Sequence, residues 1–516
     1  MNMKQGGIVS ALKESRLRSC VVAGLLATTA MTATSAVHAD QNEQLAKILA
    51  RIEKLESENA ALKNEVAKLK ISTEANSNAV APVNVTDASN AKKVRAGAAT
   101  SLAESSNVVG LNQSLSYQML DPTMNINRKQ DLLLKARQSG DLADNTVTFG
   151  GALTAITDYW HSNTADKFGY LMRHPTAANQ QQKNVSEAVI HSAQLSVTAT
   201  LGDWITSYAE LLYDPEQSFG PGTITAVGRN QVQLRKGYVI FGDLDKAPVT
   251  LTLGKMATPF GLTDTVNPFT ASTVWHAFGG LAYGAKVSYS DHGLNLSFEA
   301  VQGGAQFRGA NAPVNGTAVP SKLNNYVIDA NYIHDFGNGD FALVGGSYQR
   351  GSAYCQPFPV VHFNPCNEAN PAWAAYGQLK SGAFMVMGEF AKTTKEWPGT
   401  FNPTPPLNVF EASKVTSFGL GGKYSFTVND NPTDLSLEFS SFISGPDGSP
   451  WKRQDQWVLG LAHFLTPSVK GFAELIQTNG YAPLNFISGG NLAPGVTHSV
   501  SDAKSQGIIL GVNAAF

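Results

Sequence analysis

The chain has 516 residues, of which only 15% are charged, with 47 glycines and a formal net charge of −2. That charge content lies well below the roughly 25% of ordinary soluble domains, and a near-neutral balance excludes the basic face that nucleic acid requires. Low charge without one long apolar run points to a membrane protein built from strands, not helices.

The first element is an export signal. Lys4, Lys13, Arg16 and Arg18 precede the apolar run "VVAGLLATTAM", and Val37 and Ala39 supply the small residues a signal peptidase reads. Residues 1–39 are therefore expected to be removed, and the run is too short to span a bilayer as a helix. Cys20 leaves with the signal. Cys355 and Cys366 then remain in an oxidising compartment, where two nearby cysteines are expected to form a disulfide across one loop.

Residues 40–70 carry a heptad pattern. Leu45, Ile52, Asn59 and Val66 fall at a, and Ile48, Leu55, Leu62 and Leu69 at d. The g-to-e pairs Arg51–Glu56, Glu58–Lys63 and Glu65–Lys70 are all of opposite sign, as a parallel coiled coil prefers and a lone amphipathic helix does not need. A homo-oligomer of two or three copies is expected. Residues 71–145 read as a flexible linker rich in alanine, serine and asparagine, with one short helix over Asn127–Asp141 that would rest in the lumen or below the membrane. This stretch looks too loose for a globular plug.

From Thr146 to Phe516 the pattern becomes short alternating segments, such as "AQLSVTATL" and "DLSLEFS". Seven short connections (201–204, 243–248, 290–293, 337–340, 380–382, 429–434 and 465–469) alternate with eight long ones, near 160–187, 215–229, 258–279, 304–323, 351–372, 395–414, 445–454 and 480–501. Fifteen connections make sixteen strands. An all-β transmembrane barrel of antiparallel strands follows, with short turns toward the periplasm and long loops outside. Lipid offers no partner to an edge strand, so the last strand must pair with the first. Trp204, Phe241, Tyr289, Phe336, Phe341, Phe384, Phe426, Phe464 and Phe516 are expected to form one interfacial girdle, with Tyr159, Tyr213, Trp373 and Trp457 on the other rim.

Inward parity assigns Tyr208, Glu210, Lys286, Glu299, Asp329, Glu389, Lys423, Glu438, Lys470 and Glu474 to the lumen. Both signs are present, which argues against strong anion selectivity. Lys236 falls on the lipid-facing register, which makes that register doubtful. No nucleophile elbow, P-loop, zincin or C-x-x-C motif occurs, and the histidines are scattered. Neither an enzyme nor a metal or other cofactor is expected. The loop "CQPFPVVHFNPC" reads as a stiff apolar lid suited to an organic chelate.

The order of export signal, heptad segment, connector and sixteen-stranded barrel resembles the siderophore-porin family typified by the legiobactin receptor of Legionella (the LbtU family). Related Francisella outer-membrane iron transporters are similar. The resemblance runs over nearly the whole mature chain and includes "FGGALTAITDYW" (Phe149–Trp160) and "LTLGKMATPFGLTDTVNPF" (Leu251–Phe269). It implies uptake of a ferric siderophore across the outer membrane without the plug of larger receptors. From the residues themselves, a general or anion-selective porin and an outer-membrane-to-cell-wall tether stay open.

Overall fold

A computed structural model describes residues 108–516, apart from 166, 169–181, 215–231, 304–321, 356–368, 397–403, 483–494, 496 and 498. The expected signal, heptad segment and Cys366 lie outside the described residues. The order along the chain is β1 (Val108–Leu111), α1 (Gln113–Leu120), α2 (Lys129–Gln138), β2 (Thr146–Ser162), β3 (Asn184–Leu201), β4 (Ile205–Tyr213), β5 (Val232–Phe241) and β6 (Val249–Ala257). Then follow α3 (Thr273–Phe278), β7 (Leu281–Asp291), β8 (Leu294–Val301), β9 (Asn325–Gly337), β10 (Asp340–Gln349), β11 (Ala372–Ser381) and β12 (Phe384–Thr393). The last five strands are β13 (Thr416–Val428), β14 (Asn431–Ile443), β15 (Arg453–Thr466), β16 (Val469–Tyr481) and β17 (Val500–Ala515).

Each strand from β2 to β17 pairs antiparallel with the next, and β17 pairs with β2 from Ser505↔Ser162 to Ala515↔Ala152. Sixteen strands thus close on themselves. Closure leaves the wall no unpaired edge, which a lipid surround demands. Both the N–H and the C=O of Phe516 pair with Gly151, at 2.9 Å each. Below that pair, β1 runs parallel to the start of β2, from Val108↔Thr146 to Leu111↔Phe149.

The turns are tight where the chain can adopt positive φ. Asn429 and Asp430 both do (49° and 64°), so the hairpin closes on two residues, shorter than the expected 429–434. Two consecutive left-handed residues match the right-handed twist of the flanking strands, and Asn and Asp tolerate that conformation.

Alternation separates two environments. Leu195, Leu211, Leu253, Val287, Leu296, Leu437, Leu459, Leu475, Ile508 and Leu510 are exposed on the outer wall. Their sequence neighbours, among them Ser196, Glu210, Thr252, Lys286, Glu438 and Glu474, are buried on the inner one. Aromatic rings stud the outside, with Trp204, Phe241, Phe336, Phe384 and Phe516 exposed near the short-turn rim and Tyr159, Trp373 and Trp457 near the other.

Three details differ from the sequence expectation. Phe464 turns inward and meets Tyr117 of α1 edge-on at 5.7 Å, and Phe341 packs in an inner cluster with Leu343, Tyr376 and Met387. Neither belongs to the outer girdle. The register of β5 shifts between Glu210↔Lys236 and Leu211↔Leu234, leaving Arg235 as an extra residue. That bulge turns Lys236 inward, where it reaches Glu210 at 3.3 Å. The stretch before the barrel is not a loose linker throughout, since residues 108–145 hold a strand and two helices.

Candidate functional site: a lumen filled by two segments

The connection from β6 to β7 does not project outward as a loop. Every residue from Met256 to Ala282 is buried. Its sequence explains why it avoids water: among residues 258–280 only Asp264 and His276 bear an ionisable side chain, against four of Phe and Trp. Inside a barrel, however, its backbone N–H groups need acceptors, because a buried donor left without one costs about 1–3 kcal/mol.

Alternate strands of the wall supply those acceptors as glutamates. Glu389 on β12 accepts from Leu262 N at 3.0 Å and Thr263 N at 2.8 Å. Glu438 on β14 accepts from Thr265 Oγ1 at 2.7 Å, Val266 N at 3.2 Å and Asn267 Nδ2 at 3.1 Å. Glu474 on β16 accepts from Phe269 N at 2.8 Å and Thr270 N at 2.9 Å. On either side of these contacts Ser347 of β10 takes Gly261 N at 2.8 Å, Ser440 takes Thr273 N at 3.1 Å, and Gln456 donates to Ala271 O at 3.0 Å. Buried carboxylates survive without counter-cations only when several donors converge on them, and here the loop backbone provides the donors. Gly261 has φ +70°, and a Cβ there would lie 1.9 Å from Glu389 Oε1, so no other residue fits.

The second filler is the segment that carries α1 and α2. Leu115, Met119, Leu133, Leu134, Ala136 and Leu142 form a buried cluster with Tyr208, Tyr238, Ile240 and Met256 of β4–β6. Gly150 makes room for it on β2, since a Cβ there would stand 3.0 Å from Ser116 Cβ. Asn112 caps α1 through Leu115 N at 3.0 Å. Lys129 Nζ donates to three carbonyls of its own segment, including Asp121 O at 2.9 Å and Met124 O at 2.8 Å. Burial pushes that ammonium down to about 8, against the pull of Asp121. Burial also raises the Asp121 carboxyl, but Lys470 and Lys129 outweigh it and leave the group below its ordinary range.

The tip of this segment meets the infolded loop. Asp264 accepts from Ile126 N at 2.9 Å and pairs with Arg128 at 3.1 Å. Asn127 Nδ2 donates to Phe260 O at 2.8 Å and Gly261 O at 3.0 Å, and Thr265 N donates to Thr123 O at 3.0 Å. At the short-turn rim Arg137 donates to Gly202 O at 2.7 Å and Ile205 O at 3.2 Å.

Among the described residues, three small cavities inside the wall carry charge. One cavity of about 70 Å³ lies against β3–β6, between Met119, Leu120, Trp275, Glu210, Asp214, Arg235 and Lys236. Another of about 170 Å³ lies against β13–β16, lined by Tyr117, Asp121, Lys423, Asp434 and Lys470. A third, about 30 Å³, holds Arg128, Asp131, Lys286 and Asp329. Each gap carries charges of both signs.

The ten residues assigned to the lumen by alternation lie at inner-wall positions but do not form one site. Glu389, Glu438 and Glu474 hold the loop, and Lys470 joins them through Pro268 O at 3.0 Å. Tyr208 bonds Glu210 at 3.0 Å under the helical segment. Asp329 accepts from Ser347 and Tyr376 at 2.6 Å each, and Lys423 pairs with Asp434 at 3.2 Å. Lys286 faces Glu299 across β7 and β8, and no hydrogen bond reaches the Glu299 carboxylate among the described residues. Asp264, Arg128, Asn127 and Lys129 were not found by alternation, because none of them lies on a strand. The dearth of charge in 258–280 was the available signal.

A family profile for Gram-negative porins matches residues 138–480, more than half of the chain. Among solved structures the chain is similar to the anion-selective porin of Comamonas acidovorans, at 14% identity and TM-score 0.45, covering 72% of this chain and 99% of that one. It is similar to the channel DcaP of Acinetobacter baumannii (12%, TM-score 0.42, 72% and 97%) and to OprB of Pseudomonas putida (12%, TM-score 0.42, 76% and 99%). No curated protein matches. With a closed sixteen-stranded wall, a lipid-facing outside and this family match, the chain belongs to the Gram-negative porins of the outer membrane.

Proposed function

We propose that the chain is a constricted outer-membrane channel that passes small polar solutes with little preference for charge sign. The observation that carries this reading is the infolded loop, clamped across the bore by Glu389, Glu438 and Glu474, with small cavities such as those of about 30, 70 and 170 Å³ beside it among the described residues. Acids and bases share each gap, so neither cations nor anions meet a uniform field. The short-turn rim faces the periplasm, as in outer-membrane barrels generally. The heptad segment would hold two or three copies together on that side. Liposome swelling with solutes of increasing size tests the proposal: permeation should fall steeply with size. Equal rates for small and large sugars would defeat it.

Ferric siderophore is the second cargo reading, and one observation favours it. Of the stretches that carry the family resemblance, Phe149–Trp160 includes Gly150 against α1, and Leu251–Phe269 runs into the infolded loop. An organic iron chelate is larger than the three cavities described, so this reading has the filling move. Radiolabelled ferric-siderophore uptake by cells with and without the gene decides it; no difference returns the cargo to small solutes. Deleting Gln41–Lys70 addresses the tether alternative, because a tether fails while a channel loses mainly its oligomeric state.

A further inference from the structure

We infer that Asn112–Leu142 is a displaceable plug, an intrachain occupant that must leave the bore before solutes larger than the gaps can pass. The inference rests on the channel reading above.

Three observations carry it. First, the segment enters and returns at the same rim. β1 pairs with the first residues of β2, with Leu111 opposite Phe149, and Asn112 Nδ2 meets Asp141 O at 3.4 Å. A hairpin with both ends at one opening can withdraw without threading through the closed wall. Second, the segment is a unit in itself. Lys129 ties α2 to the carbonyls at and beyond the end of α1, and Leu115 and Met119 cluster with Leu133 and Leu134. These contacts travel with it. Third, its direct hydrogen bonds to the rest of the barrel gather mainly at two places, with Asp121 and Lys470 sharing a cavity between them. The tip holds Asp264 and neighbouring backbone of the infolded loop, and Arg137 holds the turn at Gly202. Between those points its contact with β4–β6 is apolar, apart from a few polar neighbours at the gap. Such contacts slide without leaving a bonded partner behind. The infolded loop is the opposite case, since its own backbone is bonded to the wall along its length.

The position of Ser116 beside Gly150 offers a lock. With Cβ atoms 3.0 Å apart, Ser116→Cys together with Gly150→Cys is close to disulfide range. The full chain, with Cys355→Ser and Cys366→Ser, is placed in planar bilayers. Oxidation should abolish the large conductance events, and a reductant added to the same membrane should bring them back. Deletion of Asn112–Leu142 should give a large conductance without closures. Heat-modifiable gel migration checks that each barrel is folded. If the pair prevents folding, Ala136→Cys replaces it: a membrane-impermeant maleimide should label this buried position slowly, and much faster after Asp264→Ala. An oxidised channel that conducts like the reduced one, or an Ala136→Cys that never labels while the deletion conducts, overturns the plug and leaves the channel standing. A folded deletion variant that does not conduct removes the channel reading, and the plug with it.

Discussion

Two segments fill this barrel, and they are held by different physics. The infolded loop at 258–280 bonds its backbone to carboxylates and hydroxyls of the wall, with glutamates from β12, β14 and β16 each taking at least two donors. The helical segment at 112–142 satisfies much of its own backbone and touches β4–β6 mainly through apolar side chains. A hydrogen-bonded clamp resists movement, because each broken bond leaves a buried polar group without a partner. An apolar contact resists only in proportion to the area it covers. A barrel can thus keep one constriction permanent and make the other removable.

The largest expected effect attacks the permanent half. Glu474→Ala strips the acceptor from Phe269 N and Thr270 N, and at roughly 1–3 kcal/mol per orphaned donor the cost is about 2–6 kcal/mol. The unfolding midpoint should fall and single-channel noise should rise; an unchanged midpoint would show that the loop is not clamped. Leu133→Ala strikes the other half. Leu133 is fully buried, so the variant should lose about 2–4 kcal/mol of plug docking. Hydrogen exchange should quicken over residues 113–138 but not over β12–β16; exchange that rises equally in both would erase the contrast.

Asp264→Asn tests the junction. It keeps the shape but removes the charge facing Arg128 and weakens the acceptor for Ile126 N, for about 1–2 kcal/mol. Conductance events should lengthen without a change in barrel stability. The smallest effect is with pH. The Asp121 carboxyl titrates below its ordinary range because of Lys470 and Lys129, despite burial. Its contribution is therefore full above the ordinary value, near 4, and lost as pH falls through the lower folded value. Conductance events should be unchanged from about pH 6 to 5 and lengthen below about 4, with a smaller change in Asp121→Asn. An identical acid response in both proteins would assign it to other carboxylates.

Strand number and closure were legible because each transmembrane strand repeats one message, an apolar residue every second position between turns. The outer rings were mostly legible for the same reason. Phe341 and Phe464 failed because aromatic character near a short turn does not say which side of the wall it faces, whereas parity does. Lys236 failed parity itself, since one extra residue at Arg235 inverts every position beyond it until the strand ends. Parity puts the glutamates in the lumen without saying what they hold. Their role as acceptors for a loop is a long-range fact, with Glu474 more than 200 residues from the backbone it holds.

The sequence by itself determined the cylinder: sixteen strands, an apolar exterior, a polar interior and alternating short and long connections. Those features are local, written in period two and in turn chemistry, and for strands lipid tolerates no way but closure to satisfy a spanning backbone. Only the tertiary structure decided what fills the cylinder. Whether a loop low in charge folds inward, or a connector helix rises into the bore, depends on acceptors and apolar surface contributed by distant strands. No periodicity in 112–142 or 258–280 records their presence.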